Sequence, residues 1–193
     1  MQRLILPLVL LCSLAVAAVA EEKQPPTKFP SPDKRFALRI SSPEDDEMKA
    51  ELIEKGSGKT MVDLGMPHHR YVLVWSADSK WFAYCNRADK SAELSVYFWN
   101  GTAFENIELP EENFPAASPD VPDSAGAVKN YGGAVEPLRW SKPGELQLAA
   151  DATMLGRGDG RTYLGMLRFT LSFDAQHHAS IKNVGKTKTT VSK

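Results

Sequence analysis

One short pattern occurs three times along this chain. A polar turn centred on a serine runs into a short apolar strand at Phe29–Leu38, Trp75–Tyr84 and Trp140–Leu148. A repeat at an interval of tens of residues is typical of proteins built from an array of small, similar units. The sequence therefore predicts a fold made of three related β units.

A predicted β-hairpin follows the serine turn and strand in each of the three units. The turns of the three hairpins are Gly56–Gly58, Asn100–Gly101 and Asp174–His177. Glycine and asparagine readily adopt the positive φ that short hairpin loops need. Apolar side chains alternate along the adjoining runs, as at Leu94, Val96 and Phe98, which is the period of a strand with one buried face. An all-β fold is predicted.

The three units are predicted over residues 29–66, 71–109 and 135–185, within a single β-repeat domain that spans 21–193. Their opening strands match if the first turn is one residue shorter than the second, so that Phe36 and Leu38 correspond to Phe82 and Tyr84. Residues 110–134, between the second and third units, are rich in Pro, Ala, Ser, Asp and Gly. This composition predicts a mobile insertion.

The serine turns resemble the WD40-like repeats of TolB-type β-propellers, whose signature is an apolar residue, Ser-Pro-Asp-Gly-Lys and an apolar strand. Ser31–Lys34 carries the signature without its glycine, Trp75–Lys80 carries it with Ala and Ser substituted, and Trp140–Glu145 keeps the tryptophan, serine and glycine. The resemblance implies an extracytoplasmic propeller that serves mainly as a protein-binding platform.

Three units are too few for a closed propeller, which takes about 4 to 8 blades. We therefore expect three propeller-blade-like antiparallel units in an open partial propeller or a sandwich-like stack. The alternative is a homodimer in which two chains form one six-bladed ring.

The first twenty residues read as a secretory signal peptide. Arg3 precedes an apolar run from Leu4 to Val16, and Ala18–Ala20 forms a small-residue cleavage site. The apolar run is shorter than the ~20 residues of a membrane-spanning helix. The prediction is a periplasmic or secreted protein with no stable membrane insertion after cleavage of residues 1–20.

Charge and cysteine content argue against a nucleic-acid-binding protein and against a fold held by disulfides. With 23 basic and 24 acidic residues, the chain gives no reason to expect nucleic acid as a partner. Beyond the signal peptide only Cys85 remains, so the fold must depend on apolar burial rather than on an internal disulfide. Cys85 closes an apolar run and is predicted to be a buried, inert thiol.

No motif in the sequence predicts catalysis, a cofactor or a metal site. The histidines form two pairs, His68–His69 and His177–His178, without cysteine or carboxylate at ligand spacing. An Arg-Gly-Asp tripeptide at Arg157–Asp159 lies in a glycine-rich loop, where it arises readily by chance. A nucleophile elbow of the Gly-x-Ser-x-Gly type does not occur, and the chain is predicted not to be an enzyme.

The four tryptophans divide into two pairs. Trp75 and Trp140 occupy equivalent repeat positions, which predicts a shared packing role. Trp81 and Trp99 are predicted to lie off the buried faces of their strands, as exposed, possible ligand-binding residues whose rings suit sugar stacking. The function expected is an exported, non-enzymatic binding or scaffolding module of the cell envelope with a protein partner. The alternative is a carbohydrate-binding or carbohydrate-processing accessory that uses the exposed tryptophans.

Overall fold

The computed structural model describes residues 26–42, 48–88 and 91–192. These residues form three antiparallel β-sheets, none of which closes on itself, so the predicted all-β fold of three units is confirmed. The predicted signal peptide, residues 1–20, lies outside the described residues. Within the described ranges, no helix has the length and apolar character needed to cross a membrane.

Sheets 1 and 2 are four-stranded meanders in which each strand pairs with the next along the chain. Sheet 1 contains β1 (Thr27–Lys28), β2 (Phe36–Ser41), β3 (Lys49–Glu54) and β4 (Thr60–Asp63). Sheet 2 contains β5 (Arg70–Trp75), β6 (Trp81–Arg87), β7 (Ala92–Trp99) and β8 (Phe104–Ile107).

Sheet 3 is larger because its two central strands are 12 residues long. Its strands are β9 (Val128–Asn130), β10 (Val135–Lys142), β11 (Glu145–Gly156), β12 (Thr162–Phe173), β13 (Ala179–Lys182) and β14 (Lys188–Ser192). One half of the β11–β12 hairpin is flanked by β10 and β13, and the other half by β9 and β14. Sheet 3 thus includes residues from the predicted insertion and from the tail beyond the predicted third unit.

Sheet 2 lies between the other two sheets, with a hydrophobic core against each of its faces. One face, which includes Leu73, Phe82 and Phe104, packs against Phe36 and Leu38 of sheet 1. The opposite face packs against sheet 3 through side chains on both sides, among them Trp81, Ala83, Cys85, Leu94, Val96, Leu146, Leu148, Leu167, Phe169 and Leu171. Alternate side chains of β6 enter different cores, so six of its seven residues are buried. The arrangement corresponds to the predicted sandwich-like stack.

The serine turns of the first two units have the same geometry. The Ser31 hydroxyl accepts a hydrogen bond from the Phe36 amide at 2.9 Å, and the Ser76 hydroxyl accepts one from the Trp81 amide at 3.0 Å. Each hydroxyl also donates to an aspartate two residues later. The third turn is looser, since the Ser141 hydroxyl lies 3.3 Å from the carbonyl of Glu145, only four residues on.

This geometry corrects the predicted alignment of the opening strands. Phe36 corresponds to Trp81 rather than to Phe82, and it is the third turn, not the first, that is one residue shorter. The correction also fits the packing, since Phe36 and Trp81 each face the following sheet.

All three turns place their fourth residue at positive φ, the position of glycine in the TolB-type signature. The φ values are 62° at Lys34, 59° at Ser79 and 75° at Gly144. Left-handed backbone is costly for residues with a side chain. The first two units nevertheless adopt the turn of the signature, with Lys34 and Ser79 in place of its glycine.

Trp75 and Trp140 link successive units by equivalent hydrogen bonds. The Trp75 indole donates to the carbonyl of Phe29 at 2.9 Å, and the Trp140 indole donates to that of Val74 at 3.2 Å. Each acceptor lies two residues before the serine of the preceding unit. The predicted shared packing role of these two tryptophans is confirmed.

Residues 110–134 pack against sheet 3 along much of their length. The Phe114 ring lies 5.5 Å from that of Phe169, and the Asp120 amide donates to the Thr189 hydroxyl at 2.7 Å. A Cβ atom on Gly165 would lie 2.9 Å from Pro119, so the segment crosses the sheet where a side chain is absent. These contacts place the segment against sheet 3, while its mobility stays a prediction.

The outward faces of the two end sheets carry exposed polar side chains. On sheet 1, Arg39 and Lys49 pair with the nearly buried carboxylate of Glu51 at 2.8 and 3.2 Å. On sheet 3, Arg139 donates to Gln147 at 2.9 Å. Sheet 3 also exposes two apolar side chains on this face, Leu164 and Met166.

Candidate functional site

A groove lies between sheets 2 and 3. We call it the 2–3 groove; its cavity measures about 460 Å³. Its lining is mainly small or apolar and comes from β7, the 110–134 segment and β11: Ala92, Leu94, Phe114, Ala116, Ala117, Ala134, Val135, Ala150, Ala152 and Met154. Cavities of this size and character take apolar groups of a ligand or of a partner protein.

The wall of the groove depends on two glycines in the 110–134 segment. A Cβ atom on Gly133 would lie 2.1 Å from the carbonyl oxygen of Asp151, so no side chain fits at this position. The adjacent Ala134 amide donates to the Asp151 side chain at 2.9 Å. Gly132 and Gly133 also line a second cavity of about 420 Å³, which opens beside the Tyr131 ring.

A cluster of ion pairs lies at the mouth of the groove. The Arg87 guanidinium donates to Glu136 at 2.5 Å and to Asp151 at 2.8 Å, and Arg70 reaches Glu136 at 3.1 Å. Burial alone lowers the pKa of Arg87, but its hydrogen bonds to Glu136 and Asp151 outweigh burial and raise it. The cluster therefore joins sheets 2 and 3 by ion pairs.

Sequence reasoning did not find this groove or its ion pairs. Arg87 is 49 residues from Glu136 and 64 residues from Asp151 in the sequence, and no local pattern connects them. The one available signal was the Gly132–Ala134 run of small residues immediately before a strand, since such runs mark close approaches of backbone.

The structure corrects the predicted exposure of Trp81. This side chain is only 5% exposed, and its ring packs against Phe98, Trp140 and Phe173 at centroid distances of 4.7, 5.6 and 4.9 Å. The alternation rule failed because both faces of β6 are covered. A buried ring offers no face on which a sugar could stack.

Trp99 is half-buried and lies at the boundary of sheets 1 and 2. Its ring packs against Phe36 and Phe104 at 5.2 and 5.0 Å, and the Arg35 guanidinium lies 4.9 Å from its centroid. These contacts give Trp99 a packing role between sheets. A role for Trp99 in ligand binding stays a prediction.

The two histidine pairs lie near opposite ends of β6. The His68 amide donates to the side chain of Asn86, whereas the His177 ring packs 3.8 Å from Phe98. Among the described residues, no group of three or more His, Cys, Asp or Glu side chains is placed to hold a metal ion.

The remaining reactive groups have structural surroundings. Cys85 is 1% exposed, and burial raises the pKa of its thiol to about 12, as predicted for an inert cysteine. In the Arg-Gly-Asp tripeptide, Asp159 accepts hydrogen bonds from the buried Tyr163 hydroxyl and from the Arg161 amide. The Asp159 carboxylate thus shapes the β11–β12 turn.

Comparison with known proteins gives little further guidance. No protein-family model and no curated protein matches the chain. A solved structure that it resembles is that of TolB from Acinetobacter baumannii, with 9% sequence identity and a TM-score of 0.36. The match covers 83% of this chain but 43% of TolB, so the chain spans less than half of that protein's length.

Proposed function

We propose that this protein is an exported, non-enzymatic protein-binding module of the cell envelope, located in the periplasm or secreted. The observation that carries the proposal is the 2–3 groove, an open cavity of about 460 Å³ between two sheets, lined mainly by small or apolar residues. Export is supported by the predicted signal peptide at residues 1–20.

The chemistry of the groove favours a peptide segment as its occupant. Small apolar side chains such as Ala116 and Ala152 leave room for a partner's aliphatic or aromatic side chain. Ser91 and Asn130 at its rim can hydrogen-bond a peptide backbone. The neighbouring charges of Arg87, Glu136 and Asp151 are engaged with one another, and the other carboxylate of the lining, Glu111, is exposed to solvent. We therefore favour binding over acid–base chemistry for this groove.

The charged outer face of sheet 1 supports a monomeric stack. A six-bladed ring of two chains that covered this face would need to bury Arg39 and Lys49, which are partly exposed, at a cost in desolvation. The homodimer remains the alternative. The carbohydrate-accessory hypothesis loses part of its support, since Trp81 is buried and Trp99 alone remains of the two tryptophans on which it depended.

Site-specific photo-crosslinking in the native cell envelope tests the proposal. A photoreactive phenylalanine analogue replaces Ala116, which is exposed in the wall of the groove, and in a matched control it replaces Lys55, which is exposed in the β3–β4 turn of sheet 1. We expect one envelope protein to crosslink through position 116 and not through position 55. Equal capture at both positions, or capture of glycan alone, would contradict the proposal.

A groove-filling variant makes the same test independent of the crosslinker. Ala116→Trp should reduce binding of the identified partner while leaving the melting temperature unchanged, because residue 116 is exposed and makes no core contact. Unchanged binding would place the interface elsewhere.

A further inference from the structure

A second cavity, of about 330 Å³, lies between sheets 1 and 2. We call it the 1–2 notch. One wall is formed by alternate residues of β6 and β7, among them Tyr84, Glu93, Ser95 and Tyr97, and the other by Asp63–Met66 of sheet 1 and the loop that follows. The notch shares no lining residue with the 2–3 groove.

The walls of the notch are held by specific hydrogen bonds. The side chain of Asn86, which is only 9% exposed, accepts from the His68 amide at 2.7 Å and donates to the Met66 carbonyl at 2.9 Å. The Gly65 carbonyl, in the same loop, accepts from the Ala50 amide at 2.8 Å. The loop is therefore fixed to both sheets, and the notch is a built feature of the fold.

Tyr84 contributes an unusual polar group to this notch. The residue is 4% exposed, and its buried hydroxyl has no hydrogen-bond partner among the described residues. Burial raises the pKa of this phenol to about 12, with further contributions from Tyr71, Cys85, Glu93 and Tyr97. The hydroxyl therefore stays protonated and lies near the charged and phenolic groups of the notch. A buried polar group without a partner is uncommon and calls for an explanation.

The charge of the notch is negative. Asp63 and Glu93 both line it, and within the described part of the chain no lysine or arginine does. Asp63 is already engaged by Lys49 at 3.1 Å and by the Gly65 amide at 3.0 Å. Glu93 makes no salt bridge within the described residues, so its carboxylate is available to a ligand.

We infer that the 1–2 notch is a binding site for a protonated primary amine, as carried by a lysine side chain or a peptide N-terminus. The Glu93 carboxylate supplies the opposite charge, and the hydroxyl oxygens of Tyr84 and Ser95 accept the remaining N–H groups. The partly exposed ring of Tyr97 favours a cation over a neutral group of the same size. This site is independent of the proposed peptide groove.

NMR titration of the isotopically labelled protein tests the inference. The probes are Nα-acetyl-lysine methylamide for the side-chain amine, glycinamide for the N-terminal amine, and Nα,Nε-diacetyl-lysine methylamide as the uncharged control. We expect saturable shifts of the Gly65, Glu93 and Ser95 amides with one or both amines, and none with the diacetylated control. A larger effect of glycinamide would identify the N-terminus, rather than the lysine side chain, as the source of the amine.

Two variants and a matched control connect the shifts to the named groups. Glu93→Gln should weaken binding by about tenfold or more, the usual loss for a charge-assisted hydrogen bond. Tyr84→Phe should also weaken binding while the protein stays folded, since it removes only the unpartnered oxygen. Glu105→Gln, which alters an exposed carboxylate on β8, should bind as the wild type does.

Either of two results would overturn the inference. One is the absence of saturable shifts at the notch with both amines. The other is equal binding of the diacetylated control or of a neutral polyol such as glycerol, which would show that the positive charge is not recognised.

Discussion

The most informative stability experiment concerns the serine turns. Ser76 is completely buried, and its hydroxyl is the acceptor for the Trp81 amide at 3.0 Å and donates to Asp78 at 2.5 Å. Ser76→Ala leaves the buried Trp81 amide without this acceptor, while the exposed Asp78 carboxylate can be hydrated. An unsatisfied buried donor costs about 1–3 kcal/mol. We expect Ser76→Ala to lower the free energy of unfolding by about 2 kcal/mol.

The third turn provides an internal control. Ser141 is exposed, and its hydroxyl makes only two contacts, each at 3.3 Å and both with Glu145. Ser141→Ala should therefore cost less than about 0.5 kcal/mol, the usual range for a surface substitution. If Ser31→Ala matches Ser76→Ala, the two turns are energetically equivalent as well as geometrically so.

Urea denaturation followed by far-ultraviolet circular dichroism measures these differences, provided that the slope m stays constant among the variants. A loss of about 2 kcal/mol corresponds to a fall in the melting temperature of about 4–8 °C for a chain of this size. An equal cost for Ser76→Ala and Ser141→Ala would refute the claim that the hydroxyl bonds of the first two turns stabilise the fold.

Three further substitutions test other parts of the structure. Tyr84→Phe removes an unpartnered buried hydroxyl, so it should raise the free energy of unfolding by about 1 kcal/mol; a measured loss would show that the hydroxyl has a partner. Gly165→Ala places a Cβ 2.9 Å from Pro119, so it should lower the free energy of unfolding by about 1–3 kcal/mol and speed amide exchange in 118–126. Gly56→Ala is the neutral control, because a Cβ there would meet no atom within 4 Å. Glu51 is partly desolvated, but its hydrogen bonds, led by that from Arg39, outweigh this and hold its pKa below the ordinary 4.5. The Glu51 carboxylate stabilises the fold fully above pH 4.5, and this stabilisation is lost as the pH falls through the lower pKa of the folded state. Glu51→Gln should therefore flatten the acid side of a profile of stability against pH, measured by urea denaturation.

The unit plan could be predicted because its signals are local. The hairpin predicted around Gly56–Gly58 is present as β3 and β4, and the one predicted around Asn100–Gly101 as β7 and β8. Even so, the second turn is longer than the predicted two residues, since Trp99 pairs with Phe104 and the Asn100 amide donates to the Ala103 carbonyl. The Asn100 side chain accepts from the Thr102 and Ala103 amides and so stabilises the longer loop.

Which face of each strand is buried could not be predicted for β6. Period-two alternation identifies the buried face only when the other face meets water. Trp81, Phe82, Ala83, Tyr84 and Cys85 are all buried, so their sequence contains no polar residue to fix the phase. This is why the sequence analysis matched Phe36 to Phe82 rather than to Trp81, and why it predicted that Trp81 is exposed.

The sites depended on pairings between distant segments. β9 and β14 come from the predicted insertion and from the tail, and each pairs with an extension of the β11–β12 hairpin. Both strands are short, and β9 is exposed throughout, so neither carries an alternating apolar signal. The groove formed beside β9 was therefore invisible to sequence reasoning.

The claim on which both proposed sites depend is that sheet 2 lies between sheets 1 and 3. Native-state amide hydrogen exchange tests it directly, because a strand buried on both faces exchanges only when the whole fold opens. The Phe82–Cys85 amides should exchange more slowly than those of β3, which is also a central strand but packs against another sheet on only one face. Comparable exchange rates in β6 and β3 would contradict the three-layer arrangement.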